Sequence, residues 1–333
     1  MQALAEAADW GDSSGGRAGK WCKSKSILIM FETMRVSVLV PSYRRPKDLA
    51  RCLAALVAQT LKPDRVIVVT RANDFETLEV AKSSDAKLPV ELVEVSTPGQ
   101  VHALNAGLAR CPAGIVAITD DDAAPRPDWL RRIRSHFDAD RKVGGVGGRD
   151  WVHEQGGVLD GEKHLVGRFL WFGRMVGNHH LGAGPAREVD FLKGANCSFR
   201  IAAIGPIGFD ARLRGAGAQV HNDLTASLAV KRAGWKLIYD PMVAVDHFPS
   251  QRFDEDKRHQ FDANAAANRN HNFRLAIASG LPPYRRLAVL FWLCLVGSKS
   301  DPGVLLISLM FLKRDHVGLS RHRSVRHLLA KKS

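Results

Sequence analysis

The sequence predicts an α/β protein with a mostly parallel sheet flanked by helices. Three observations lead there. Short, β-branched apolar runs recur at residues 36–40, 65–69, 90–95 and 115–118. Segments of helical character separate them, as at 48–59 and 101–109. The runs are nearly continuous, which is the pattern of strands covered on both faces. Strands that alternate with helices in this way build parallel sheets, and ligands then bind beyond the carboxyl ends of the strands.

Each element has its own warrant. The first strand, 36–40, stops at Pro41, which has no amide hydrogen to donate. The helix at 48–59 puts Leu49, Cys52, Leu53, Leu56 and Val57 on one face. The strand at 65–69 is wholly apolar after Arg65, whereas 90–95 alternates. The fourth strand, 115–118, runs directly into Thr119-Asp120-Asp121-Asp122. From 143 to 187 the pattern loosens into many glycines, which predicts extended loops with short strands. Regular structure is expected again as a strand at 189–192, a helix at 222–232 and strands at 236–239 and 243–245. Residues 255–279 are polar with helical tendency.

Of 333 residues, 25% are charged and 45% apolar, which excludes a disordered or collagen-like chain. The 48 Lys and Arg exceed the 34 Asp and Glu, giving +14, so the chain seeks polyanionic partners. No element interleaves basic and aromatic residues, and nucleic acid is not expected among them. The five cysteines are scattered without metal or disulfide spacing, which indicates a reducing, cytoplasmic setting. The glycines at 144–148 open no phosphate-binding helix. The first strand-end, Pro41-Ser42-Tyr43-Arg44-Arg45-Pro46, lacks the glycine-rich loop of a nucleotidyltransferase.

The chain divides into a flexible extension at 1–33, a main domain at 34–250 and a helical, basic C-terminal extension at 251–333. Met34 stands just before the first strand, so 1–33 reads as lying upstream of the native start. The apolar runs 287–296 and 304–312 are separated by Asp301-Pro302-Gly303. A ten-residue helix spans about 15 Å, half of the roughly 30 Å hydrocarbon core. Neither run can cross a bilayer, but the pair can form a shallow hairpin in the interface. Between Lys313 and Lys332 stand seven Lys or Arg against one acid, Asp315. That combination favours an anionic membrane surface and a peripheral position on the cytoplasmic face of the plasma membrane.

In an extended backbone Asp120 and Asp122 fall on one side and Asp121 on the other. Two carboxylates at one strand end repel unless a cation lies between them, and Mg²⁺ or Mn²⁺ prefers such oxygen ligands. A solvated acidic turn before a helix beginning near Pro127 fits the same residues. Trp151, with Trp171 and His179-His180, offers rings that could shape a ligand pocket.

Several motifs stand in a recurring order. They are Val38-Leu39-Val40-Pro41-Ser42-Tyr43-Arg44-Arg45, Gln59-Thr60, Ala103-Leu104-Asn105-Ala106-Gly107 and Asp120-Asp121-Asp122. Lys193 to Arg200, Gly208-Phe209-Asp210, Asn222-Asp223 through Gly234-Trp235, and Tyr239-Asp240-Pro241 through Val245-Asp246-His247 follow. Together, over roughly residues 36–247, they resemble an inverting glycosyltransferase of family 2 with the GT-A fold. The resemblance implies a nucleotide-diphosphate-sugar donor and a glycan or lipid-linked acceptor. It implies nucleotide contacts from Pro41, Ser42, Tyr43, Arg45, Asp74, Asn105 and Asp121, with Asp120, Asp122 and His247 at a Mg²⁺ or Mn²⁺ ion. Gly194, Ala195, Asn196 and Trp151 would line the sugar and acceptor side, and Asp223 would be the general base. The chain departs from the family pattern in three places. The second strand ends in Thr70-Arg71 rather than in acids, Gln100 stands where a basic residue is usual, and Asn222 replaces the first acid of the catalytic helix. The losses keep open a non-catalytic scaffold in a glycan-assembly complex.

Overall fold

The computed structural model describes residues 34–313 apart from 85, 256, 258–259 and 299–300, together with 320–322 and 324. The expected extension at 1–33 and nearly all of the basic segment after Lys313 lie outside the described residues. The first half of the fold alternates as β1 (Val36–Pro41), α1 (Pro46–Val57), β2 (Arg65–Arg71), α2 (Phe75–Ser83), β3 (Val90–Val95), α3 (Gln100–Leu108) and β4 (Ile115–Thr119). A short β5 (Ala123–Pro125) and α4 (Trp129–Ala139) follow. Next come β6 (Val143–Glu154), β7 (Gly157–Val158), β8 (Arg168–Phe169), β9 (Met175–Val176) and β10 (Arg187–Glu188). The chain continues through β11 (Asn196–Arg200), α5 (Ile201–Ile204), α6 (Asn222–Arg232) and β12 (Lys236–His247) to α7 (Ala263–Gly280), α8 (Pro283–Leu295) and α9 (Val304–Leu312).

Eight of these strands lie side by side in the order β10-β12-β6-β11-β4-β1-β2-β3. β3, β2, β1 and β4 are parallel, β11 runs antiparallel between β4 and β6, and β12 is parallel to β6. After β1 the chain builds outward to β2 and β3, then crosses back so that β4 lies on β1's other edge. That reversal opens a crevice beyond the ends of β1 and β4, where parallel sheets bind ligands. Both faces of the sheet are covered. Val38 and Val40 belong to one core with Leu53, Trp129 and Phe137, while Leu39 belongs to the other with Leu104, Phe199 and Leu237. The alternation of one strand between two buried layers is why its sequence is continuously apolar.

Residues 155–187 are loops with two-residue strands, as expected, but the structure corrects the reading of 143–154. Residues 143–154 are a twelve-residue strand in the middle of the sheet. Its glycines answer to packing. A Cβ on Gly144 would lie 2.5 Å from Trp235 Cβ, and one on Gly148 would lie 1.6 Å from the Val243 carbonyl oxygen. The predicted strand at 189–192 is also corrected, because pairing stops at Glu188 and only the Val189 amide continues, donating to the Leu237 carbonyl at 2.9 Å. The strands at 236–239 and 243–245 are one strand, β12, whose register shifts between Asp240 and Val245 around Pro241. The helix at 255–279 begins later, at Ala263, where the Asp262 carboxylate accepts the Ala265 amide at 2.8 Å. Helix α7 packs on α6, with Ala276 and Ile277 against Leu224 and Leu228.

Candidate active site

The three aspartates leave β4 and turn into different surroundings. Asp121 is fully buried; Ser42 donates its hydroxyl to it at 2.7 Å, and Arg45 Nη2 lies 2.7 Å from its other oxygen. Burial pushes its carboxyl up to about 7, against the pull of Arg45. It thus ties β4 to the turn after β1. Asp122 accepts from Arg45 Nη1 at 3.1 Å and from the Ser250 amide at 3.1 Å. Its Oδ1 lies 3.2 Å from His247 Nε2. Burial opposes ionisation of Asp122, but His247 and Arg45 outweigh it and hold the carboxyl well below the usual range. Asp120 is pushed upward by burial and by the neighbouring Asp122 charge.

His247 ends β12 and reaches Asp122 because β5 and β12 pair antiparallel, His247 opposite Ala123. Its other ring nitrogen lies 3.8 Å from Asp150 Oδ2. Burial would lower the imidazole pKa, but Asp122 and Asp150 raise it to about 9. Asp150, buried on β6, is paired with Lys193 and held low despite its burial by His247 and Lys193. The sheet register explains the chain Asp122, His247, Asp150, Lys193, because Asp150 stands opposite Val245 across the β6–β12 ladder.

A cleft of about 120 Å³ opens in front of these groups. Pro41, Ser42, Tyr43, Arg45, Asp120 and Asp122 line it, together with residues 251–255. Also in its lining, the Arg71 guanidinium lies 3.7 Å over the Tyr43 ring and pairs with both oxygens of Asp254 at 2.6 and 3.3 Å. An acid does therefore face the end of β2, but it comes from the segment after β12.

Asp223 stands in the first turn of α6, and its Oδ2 accepts the Gly194 amide at 2.8 Å. Its Oδ1 accepts the Leu224 amide at 2.7 Å. Gln100 links this helix to the acidic cluster. Its amide nitrogen donates to Asp120 Oδ1 at 3.3 Å, and its carbonyl oxygen accepts from Asn222 Nδ2 at 3.3 Å. Two of the three departures from the family pattern, Gln100 and Asn222, are thus partners of one another.

The remaining predicted positions are placed elsewhere or are occupied by the protein itself. Asp74 caps α2, accepting from the Thr77 and Arg44 amides. Asn105 exchanges two hydrogen bonds with the Phe209 backbone, both 2.8 Å. Asn196 is buried, accepts from Trp129 Nε1 at 2.8 Å and donates to the Val243 carbonyl at 2.7 Å. Ala195 is buried and its carbonyl accepts from Thr119 Oγ1 at 3.1 Å. The Trp151 ring carries the Arg149 guanidinium at 3.5 Å. His179 is a core residue whose pKa burial pushes down to about 4, and Trp171 is exposed, touching Phe172, which packs on Trp292 of α8.

The model of a family described as "Glycosyltransferase like family 2" matches residues 34–272. The chain belongs to this glycosyltransferase family. A glucosyl-dolichyl phosphate glucuronosyltransferase of Haloferax volcanii is 25% identical over 225 residues, covering 64% of this chain and 69% of that protein. The glycosyltransferase AglE of the same organism is 33% identical over 101 residues, and the chain spans only 33% of its length. Among solved structures, the mannosyltransferase PcManGT from Pyrobaculum calidifontis, in complex with GDP-Man and Mn²⁺, aligns with a TM-score of 0.53 at 19% identity. That alignment covers 90% of this chain and 84% of the other. S. aureus TarS 1-349 in complex with UDP-GlcNAc aligns at 0.56 and 17%, over 78% and 72% of the two chains. The fold of this glycosyltransferase is accordingly GT-A.

Among the described residues, no three His, Cys, Asp or Glu side chains are close enough to hold a metal ion alone. The donor set still fits one. Asp122 and His247 face each other, Asp120 lies beside them with its carboxyl pushed up by its neighbour's charge, and the cleft opens onto the group. Mg²⁺ and Mn²⁺ commonly bind through one or two carboxylates and complete their shells with phosphate oxygens and water. Sequence reasoning missed Asp150 and Asp254 in this glycosyltransferase. An aspartate two residues beyond the glycine-rich run of β6 was the available signal for the first; nothing local marks the second.

Proposed function

We propose that this glycosyltransferase moves a sugar from a nucleotide-diphosphate donor to a hydroxyl acceptor with inversion, using Mg²⁺ or Mn²⁺. The observation that carries the reading is the separation of two acidic centres, Asp120 with Asp122 on one side of Gln100 and Asp223 on the other. Asp122, His247 and Asp120 would hold the ion, which when bound neutralises charge on the leaving diphosphate as a Lewis acid. Pro41, Ser42, Tyr43 and Arg45 would bind the nucleotide, and Arg45 adds a cation beside the phosphates. Asp223 Oδ2 would accept the acceptor hydroxyl's proton as that oxygen attacks the anomeric carbon from the face opposite the diphosphate. One displacement at that carbon inverts its configuration. The Gly194 amide fixes the Asp223 carboxylate for that task. The relative named as a glucosyl-dolichyl phosphate glucuronosyltransferase supports a glycan or lipid-linked acceptor, and with it a peripheral position on the cytoplasmic face.

The test is calorimetric titration of the purified protein with a panel of nucleoside diphosphates, with and without Mn²⁺. Metal-dependent binding of one diphosphate, lost in Asp122→Ala, is the expected result and names the base. A folded protein that binds none of them supports instead the non-catalytic scaffold, which the amide at Asn222 also favours.

A further inference from the structure

The C-terminal hairpin presents a surface that the transfer reaction does not use. Helix α9 reads VLLISLMFL, yet none of its residues is buried, and α8 buries only Val289. The two helices pack on each other and are closed by a bridge between Gly297 and Pro302. Leu287 and Phe291 on α8 are 69% and 66% exposed, and Leu312 on α9 is 81% exposed. A helix this apolar and this exposed marks a contact with something apolar.

A second segment joins the same face. Phe172 packs between Trp292 of α8 at 5.2 Å and Trp171 at 5.3 Å. The loop sits tightly, because a Cβ on Gly173 would lie 2.1 Å from the Ala288 carbonyl oxygen. It leaves Trp171 89% exposed beside the helix. At the start of α8 lies a groove whose lining includes Arg168, Lys231, Arg232, Arg285 and Arg286 against Glu188 and Asp190. The apolar face therefore has a basic border, and seven Lys or Arg follow it between Lys313 and Lys332.

These features choose among occupants. Among the described residues no helix is long and apolar enough to cross a membrane. At 13 and 9 residues, α8 and α9 reach only about 20 and 14 Å, short of a hydrocarbon core of roughly 30 Å. A second copy of the chain would bring a like-charged border against this one, which disfavours self-association. An anionic bilayer supplies both complements: acyl chains for the apolar band, phosphates for the arginines, and an interface that suits exposed Trp and Tyr.

We propose that the α8–α9 hairpin and Trp171 lie in the interfacial layer of an anionic membrane, with the basic groove over the lipid phosphates. The inference gives the peripheral position proposed above its surface and does not depend on the donor chemistry. The hairpin is also tied to the reaction centre, because Val289 shares a core cluster with Leu224 and Leu228 of the helix that carries Asp223.

The experiment is flotation of the full-length protein with phosphatidylcholine vesicles, with and without phosphatidylglycerol. Wild type should float with the anionic vesicles. Leu287→Asp with Phe291→Asp should lower the bound fraction by about tenfold or more, the scale expected from losing two buried apolar anchors. Arg285→Glu with Arg286→Glu should weaken the preference for phosphatidylglycerol, and Trp171→Phe should remove part of the quenching by brominated lipid. Nucleotide titration of the same variants should match wild type, so failure of the donor reading shows separately. Vesicle binding equal in wild type and the Leu287/Phe291 variant overturns the proposal. So does a wild-type dimer in solution that this variant dissociates, since a second copy then covers the face.

Discussion

Asp122 Oδ1 lies 3.2 Å from His247 Nε2, although 125 positions separate them in the chain. β5 and β12 bring them together by pairing antiparallel beside the end of β4. On the reading above, they are the two side chains a divalent ion would meet first. Asp122→Ala and His247→Ala should each weaken Mn²⁺-dependent nucleotide binding by about 10–100-fold. Calorimetry in Mn²⁺ and in chelator checks this; unchanged metal dependence in both variants would remove the pair from the ion.

Asp223 should matter to turnover rather than to the donor. Its carboxylate faces Gly194, on the far side of Gln100 from the proposed ion-binding group. Asp223→Asn keeps an oxygen for the Gly194 amide but cannot take a proton. We expect turnover to fall by about 10²–10⁴, the usual contribution of a general base, with diphosphate affinity unchanged. Steady-state kinetics beside titration separates the two, and a variant of near-normal turnover would send the search for the base elsewhere.

Arg71 and Asp254 should act together on the base end of the cleft. Arg71 stacks on Tyr43 and pairs with Asp254, so removing either loosens the wall the nucleotide base would meet. Arg71→Ala should weaken diphosphate binding by about tenfold, the scale of one stacked and partly buried cation. The double variant with Asp254→Ala should add little, because the residues are coupled. A double-variant titration cycle measures this directly.

Asn196→Ala should report on stability before chemistry. The substitution leaves the buried Trp129 indole N–H and the Val243 carbonyl without their partner. Leaving buried polar groups unpaired costs about 1–3 kcal/mol each, so the melting temperature should drop by several degrees. Thermal unfolding checks it. An unchanged midpoint with lost activity would instead return Asn196 to the acceptor side.

Much of the fold was legible before any coordinates. The continuous apolar runs of β1, β2 and β4 announce strands covered on both faces, because period and composition are local properties of a chain. The acids at 120–122, His247 and Asp223 could be located the same way, since each sits where a strand or helix ends. Only the tertiary structure decided which of them meet. β6 looked like loop because its glycines are demanded by Trp235 and the Val243 backbone, neighbours nearly a hundred residues away. Asp74 and Asn105 carry the right polar groups but use them on the Arg44 and Phe209 backbones. Asp254 faces the end of β2, where the sequence has no acid, and Trp171 stands exposed against Phe172 rather than in a ligand pocket. Strand order and side-chain partnership depend on contacts between distant segments, and no local pattern in the chain encodes those.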